Sequence, residues 1–185
     1  VFAAEGAAQD LREANDLWRR ATIYRDEWGV PHVYADSFRA MAFAFGYAQA
    51  DDHLPEMARA YRIAAGRSAE VFGPDYADLD AFSIQMAHGE LAEQAFSGLD
   101  PLTRDLCEGF ALGVNAWMAD FPSRTPAWCE TVQPTDILAL WHCYAMSKAP
   151  YDLFGMNASV VEPNTGNAWA VGPGRSETGE ALLGI

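Results

Sequence analysis

Basic residues are scarce in this chain of 185: there are 12 lysines and arginines against 26 aspartates and glutamates, a formal net charge of -14. So acidic a chain repels phosphate backbones and anionic lipid, which argues against nucleic-acid or membrane-surface partners. Long apolar runs are missing as well. No stretch approaches the roughly 18 consecutive apolar residues that span a bilayer. Cysteine is limited to Cys107, Cys129 and Cys143, without CxxC or Cys/His metal spacing. Cys107 and Cys143 fall in helical patterns and read as small buried hydrophobes. An exported form has room for one disulfide, and the odd count leaves one thiol over. What is present is a globular composition, 50% hydrophobic and 21% charged, long enough for a core and sized for one domain. The opening Val-Phe-Ala-Ala-Glu is compatible with the tail of a cleaved signal peptide.

Hydrophobic spacing predicts an amphipathic helix from about Gln9 to Arg20, with Leu11, Ala14, Leu17 and Trp18 on one face. The period then changes. Ala21–Asp26 and Val30–Tyr34 are β-rich around a Glu27-Trp28-Gly29 turn, so a hairpin is expected, with Pro31 near a strand start. Asp36-Ser37 offers a cap for a buried helix over Phe38–Ala50, and Pro55 fits the first turn of another running towards Ala69. A third helix is expected over Asp80–Phe96. A fourth begins at Asp100-Pro101, where Leu102, Leu106, Phe110, Val114, Trp117 and Phe121 step by three or four. The fifth runs from Pro134 to about Met146. Residues 149–163 turn to Pro, Gly, Asn, Asp and Ser and read as a loop. Asn167–Val171 and Ala181–Ile185 form a second hairpin signal. Ending inside a strand leaves an unpaired edge, so either another chain completes the sheet or the sequence belongs to a longer product.

Four patterns then occur in order. Arg25-Asp26-Glu27-Trp28-Gly29-Val30-Pro31-His32-Val33-Tyr34 comes first and Phe45-Gly46-Tyr47-Ala48-Gln49-Ala50-Asp51-Asp52 second. Ala65-Gly66-Arg67-Ser68-Ala69-Glu70-Val71-Phe72-Gly73 is third. The last is Asn167-Ala168-Trp169-Ala170-Val171-Gly172-Pro173-Gly174-Arg175-Ser176, followed by Gly179 and Leu182-Leu183. Together they resemble the penicillin-acylase family of N-terminal-nucleophile hydrolases, whose counterparts read R-D-x-x-G-V-P-H-I-Y, G-Y-x-x-A-Q-x-D, x-G-R-x-A-E-x-x-G and S-N-x-W-x-V-x-P-x-[KR]-[ST]. Any one alone is weak. Four in order, from residue 25 to 183, are specific.

The resemblance implies an α+β fold: the predominantly helical α-subunit region of an αββα hydrolase, with two short hairpins. It divides the chain into a helical α-subunit region (1–148), a linker or spacer (149–165) and the start of the β-subunit sheet (166–185). It implies a precursor that cuts itself before a Ser, Thr or Cys. The freed residue attacks a linear amide while its own α-amino group takes the proton, an amine whose ordinary pKa near ~7.7–8 suits a base. Substrates would be acyl amides: a β-lactam, an acyl-homoserine lactone or an N-acyl amino acid. The partner would be the β-subunit of the same precursor, the location periplasmic or secreted. No cofactor is expected; relatives carry calcium, and Asp152 is nearby, but no ligand set is identified.

One departure matters. The nucleophile of the family stands immediately before the Asn of N-x-W, here Asn167, and that place is held by Gly166. Either glycine replaces the nucleophile, or Gly166 is the glycine that precedes it and the serine is gone. Thr165 offers a hydroxyl one residue early, but a one-residue slip would turn each following strand side chain to the other face. Met146 fits a position that lines the acyl pocket in the family, although methionine beside aromatics also reads as core. Tyr151, with Pro150, departs from the pattern and is the other substrate-binding candidate. His32 is expected to be structural in the hairpin. His53, His88 and His142 show no metal spacing. Asp51 and Asp52, with Arg59 and Arg62, read as a helix-surface ion-pair set.

Overall fold

The computed structural model describes residues 2–153, 169–171 and 182–184. The chain divides into two compact units, Val1–Cys143 and Tyr144–Ile185.

In the first unit, helix α1 (Phe2–Arg19) leads into strands β1 (Ala21–Arg25) and β2 (Pro31–Ala35). They pair antiparallel, with Ala21 opposite Ala35 and Arg25 opposite Pro31. The Asp26 carboxylate closes the turn by accepting from the Trp28 and Val30 amides at 3.0 and 2.9 Å, and Gly29 takes the left-handed φ of 82° that the turn needs. His32 Nε2 lies 3.1 Å from the same carboxylate. This is the structural role expected for it.

Helix α2 (Phe38–Ala64) starts at Ser37, whose hydroxyl accepts from the Ala40 amide. The two helices expected on either side of Pro55 are present, joined end to end in α2 across a kink at His53, whose backbone is non-helical (φ -141°, ψ 23°). Proline has no N–H to give the carbonyl four residues back. Here that carbonyl belongs to Asp51, and Arg124 Nη2 donates to it at 3.4 Å. The kink is satisfied from outside the helix. Helix α2 stops at Ala64 rather than Ala69, because Gly66 (φ 68°) turns the chain. A short helix α3 (Ala69–Phe72) and a 3₁₀ turn (Pro74–Tyr76) follow.

The single helix expected over Asp80–Phe96 is two, α4 (Ala77–Gln85) and α5 (His88–Phe96), separated by Ala87 in the left-handed region (φ 52°). A non-glycine residue there costs about 1 kcal/mol, and the turn points His88 and Ala92 inward, both buried. Helix α6 (Pro101–Asp120) begins as expected. Asp100 accepts from the Leu102 and Thr103 amides, and Pro101 fills the first turn. Helix α7 runs over Pro134–Leu153, past the end expected near Met146. Ala145, Met146, Lys148 and Ala149 are good helix formers, so helix continues into the segment read as loop. At the other end α1 starts at Phe2, earlier than Gln9.

The core of this unit is the crossing of α2 and α6. Gly46, Gly109 and Gly113 let the two backbones approach closely. A Cβ on Gly113 would overlap the Phe43 carbonyl oxygen, and one on Gly46 would overlap that of Phe110. Around them Ala50, Leu54, Ala111, Val114, Trp117 and Val132 are buried together. Arg39 ties the ends, bonding Glu13 of α1 at 2.6 Å, Asp105 of α6 at 3.0 Å and Glu108. The Asn115 side chain pairs with both backbone groups of Val132 at 2.8–2.9 Å, fixing the loop before α7.

In the second unit, β3 (Trp169–Val171) pairs antiparallel with β4 (Leu182–Gly184), Trp169 opposite Gly184 and Val171 opposite Leu182. The fold is therefore α+β, mostly helical with antiparallel hairpins. Among the described residues no helix is long and apolar enough to cross a membrane.

Candidate functional site

The first two sequence patterns meet at one carboxylate. Asp51, near the end of the first straight part of α2, accepts from Arg25 Nη2 (3.1 Å), Arg124 Nη1 (3.0 Å) and Trp117 Nε1 (3.1 Å). Arg25 also bonds Asp52 at 3.0 Å and the Gly29 carbonyl at 2.8 Å. The hydrogen bond to Asp52 leads the causes that raise the Arg25 pKa above its ordinary value. Arg124 lies over the Trp117 ring, 4.8 Å from its centroid. The ion-pair set expected from Asp51 and Asp52 with Arg59 and Arg62 is thus corrected. The acids serve Arg25 of the hairpin and Arg124 of a loop, residues 26 and 73 positions away, while Arg59 stacks on Phe72. The kink explains this: the helix changes direction at His53, so spacing along a straight helix does not hold across it.

The third pattern builds a second knot. Arg62 is almost fully buried and gives its guanidinium to the Trp128 carbonyl, Glu70 and Glu130. Arg67 binds the same two glutamates. Beneath them Asp80, 7% exposed, accepts from the Ser68 amide (2.9 Å), the Ser68 hydroxyl and the Ala69 amide (2.7 Å). Burial pushes the Asp80 pKa up, but the three donors outweigh it and leave the carboxyl below its ordinary value. With a depressed folded pKa, its contribution is complete above the ordinary Asp value near ~3.9 and is lost as pH falls through the lower folded value. Asp80→Asn turns an NH₂ group towards buried N–H donors. It is expected to lower stability by about 2 kcal/mol at pH 7 and to remove that acid-dependent part, both readable in urea titrations at pH 7 and pH 3.

Every carboxylate in these knots already has its cations or amide donors, which makes them architecture rather than catalytic groups. The thiols are no better placed for attack. Burial raises the pKa of Cys107, Cys129 and Cys143, holding them as thiols, and no disulfide joins them. A groove of about 280 Å³ between α1, α2 and α6 is lined by Trp18, Phe43, Tyr47 and Asp120. There the Tyr47 hydroxyl donates to Asp120 at 2.9 Å, and burial first, then that acid, pushes the phenol pKa up to about 12. Among the described residues, no group of three or more His, Cys, Asp or Glu is arranged to hold a metal ion.

Of the residues singled out in sequence, Met146 is half-buried in α7 and Tyr151 belongs to the last turn of the same helix. Thr165 and Gly166 lie outside the described residues. Strand β3 begins at Trp169, three residues beyond Gly166. Sequence reasoning missed the Ser68–Asp80 knot and a His88–His142 contact, whose partners are 12 and 54 positions apart. Neither separation carries a local signal.

Comparison with known proteins adds the family. The penicillin amidase family profile matches residues 20–184. The chain is similar to penicillin G acylase of Escherichia coli, with 33% identity over 96 residues, 52% of this chain and 11% of that protein. It is similar to the acyl-homoserine lactone acylase PvdQ of Pseudomonas syringae pv. syringae, with 30% identity over 153 residues, 75% of this chain and 20% of that protein. In fold it resembles a thermostable penicillin G acylase from Alcaligenes faecalis, with TM-score 0.62 and 27% identity, covering 74% of this chain and 75% of that one. The chain spans between a tenth and a fifth of the length of these two curated relatives. A profile matched over nearly all of its length, and four ordered patterns, three of which the fold uses as structural knots and turns, place this chain in the penicillin amidase family.

Proposed function

We propose that this chain is the leading, mostly helical part of an αββα amidohydrolase precursor that removes an acyl group from a linear amide, in the manner of penicillin and acyl-homoserine lactone acylases. The observation that carries the reading is the family match across residues 20–184, which runs through the Gly166-Asn167 junction. Strand formation by Trp169–Val171 supports it, since a nucleophile just ahead of that strand would be presented from a sheet edge. In this reading residues 1–148 form the α-subunit region, 149–165 the spacer, and 166–185 the first hairpin of the β-subunit, which is the partner. In the same reading Met146 and Tyr151 are the candidate substrate-binding residues. The protein acts in the periplasm or outside the cell.

The chemistry follows from the junction. Cleavage before a serine would free its α-amine, which takes the hydroxyl proton while the oxygen attacks the acyl carbonyl. Gly166 has no group to do this. That one observation favours a second reading, in which this copy is inactive and at most binds acylated small molecules.

An acylase assay tests the proposal. A full-length precursor with serine inserted between Gly166 and Asn167 is incubated with penicillin G and with N-acyl-homoserine lactones. Amine release from at least one substrate class is expected, with none from the unaltered precursor. Equal release from both would remove Gly166 from the nucleophile position. Release from neither, with the precursor cut at the junction, would favour the inactive reading.

A further inference from the structure

His88 opens α5 and is 0% exposed. Its Nδ1 lies 2.8 Å from Nδ1 of His142 on α7, the rings 4.9 Å apart and nearly perpendicular. His142 is half-buried. Among the described residues, Nε2 of His88 is buried with no hydrogen-bond partner, and the buried hydroxyl of Ser83 on α4 also has none, so the two do not serve each other. One turn along α5 from His88, Ala92 packs with Ala139 of α7 and Ala64 of α2.

This geometry fixes the protons. A bond between two Nδ1 atoms needs one of them protonated and the other bare. Two neutral imidazoles carry two N–H groups between them. If His142 donated, His88 would carry its hydrogen on Nε2, a buried donor without an acceptor, at a cost of about 1–3 kcal/mol. His88 therefore holds its hydrogen on Nδ1 and donates, while His142 accepts and carries its hydrogen on Nε2.

The same count shows what acid does. A singly protonated pair carries three N–H groups, and one Nδ1 must stay bare for the bond to survive. The third hydrogen then has to sit on His88 Nε2. The pair either strands a buried N–H or breaks.

Nothing around His88 offsets this among the described residues. Helix α4 contributes the Phe82 ring, 6.2 Å away, and the uncharged Ser83. Helix α7 contributes His142 and, in the same apolar cluster, the Cys143 thiol, which burial holds protonated. Asp80 of α4 is committed to Ser68 and Ala69. Glu90 and Glu93 of α5 are exposed. Arg62 of α2 is committed to Trp128, Glu70 and Glu130.

We propose that the His88–His142 pair is an acid-labile tie between α5 and α7: it joins the helices while both imidazoles are neutral and releases them when the pair takes up a proton. In keeping with this, burial and then the His142 charge depress the His88 pKa. With a folded pKa below the unfolded one, the stability His88 contributes is complete above about pH 6.5 and falls as pH drops below it.

The test uses the full chain labelled with ¹⁵N on histidine, followed by NMR from pH 7.5 to 5. At pH 7.5 His88 is expected to show a protonated Nδ1 and a bare Nε2. It should take up its second proton only below the ordinary midpoint near ~6.5, and the contact to His142 should be lost as the pair takes up a proton. Finding the hydrogen of His88 on Nε2 at pH 7.5, or an ordinary midpoint with the contact intact, would overturn the proposal. A second measurement compares thermal midpoints with His88→Gln, whose amide can still donate to His142 but does not titrate. Between pH 7.5 and 5 the wild type should lose about 2–4 °C more than the variant. Equal losses would count against the tie. Should the variant not fold, the NMR result decides.

Discussion

Gly113→Val is expected to cost about 4 kcal/mol, lowering the thermal midpoint by roughly 8–16 °C. At this position α6 crosses α2 with nothing between the backbones. A Cβ there would overlap the Phe43 carbonyl oxygen, with the Phe43 carbonyl carbon at 2.8 Å and the Tyr47 amide nitrogen at 3.0 Å. All three are backbone atoms, so no rotamer change relieves them. The helices must separate instead, and separation opens the cluster of Ala50, Leu54, Ala111, Val114 and Trp117. Helix propensity favours valine over glycine by well under 1 kcal/mol, too little to compensate. The control is Gly89→Ala on α5, where an added Cβ meets nothing within 4 Å. It should leave stability unchanged or raise it by up to about 1 kcal/mol. Chemical denaturation of the three proteins separates close approach from a general dislike of replacing glycine.

Tight crossing and the knots at Asp51 and Asp80 give the family's sequence patterns a physical content. Gly46 and Asp51 sit five residues apart on α2. The first admits α6; the second, with Asp52, anchors the hairpin through Arg25. Gly66 turns the chain out of α2, so that Ser68 and Ala69 present their amides to Asp80. These residues hold the helical scaffold of the first unit, and none of them is free to take part in a reaction.

Much of this was legible in the sequence. The α6 stripe from Leu102 to Phe121 and its Asp100-Pro101 start follow from spacing and capping alone, as does the hairpin around Gly29. Other features were hidden for definite reasons. Proline at position 55 correctly signalled two helices meeting end to end, but nothing local marks what satisfies the carbonyl it leaves free. That partner is Arg124, distant in sequence, which donates to the Asp51 carbonyl. The break falls at Ala87 itself rather than at a glycine, asparagine or proline, and it accompanies the burial of His88 and Ala92. The partners of Asp51 were misassigned because Arg59 and Arg62, two to three turns further on, lie beyond the kink at His53. At the candidate site, Asn167-Ala168-Trp169 is readable as a motif, and Gly166 as its anomaly. The geometry of Thr165 and Gly166 lies outside the described residues.

The junction carries the central claim, and intact-mass measurement with N-terminal sequencing of the full-length precursor tests it most directly. The physical demand is simple: self-cleavage needs a side-chain nucleophile on the residue after the scissile bond, and Gly166 offers only a hydrogen. With serine inserted between Gly166 and Asn167, two fragments are expected, the second beginning Ser-Asn-Ala-Trp, while the unaltered precursor stays whole. A cut in the unaltered chain just before Thr165, or an uncut and folded serine form, would contradict the account.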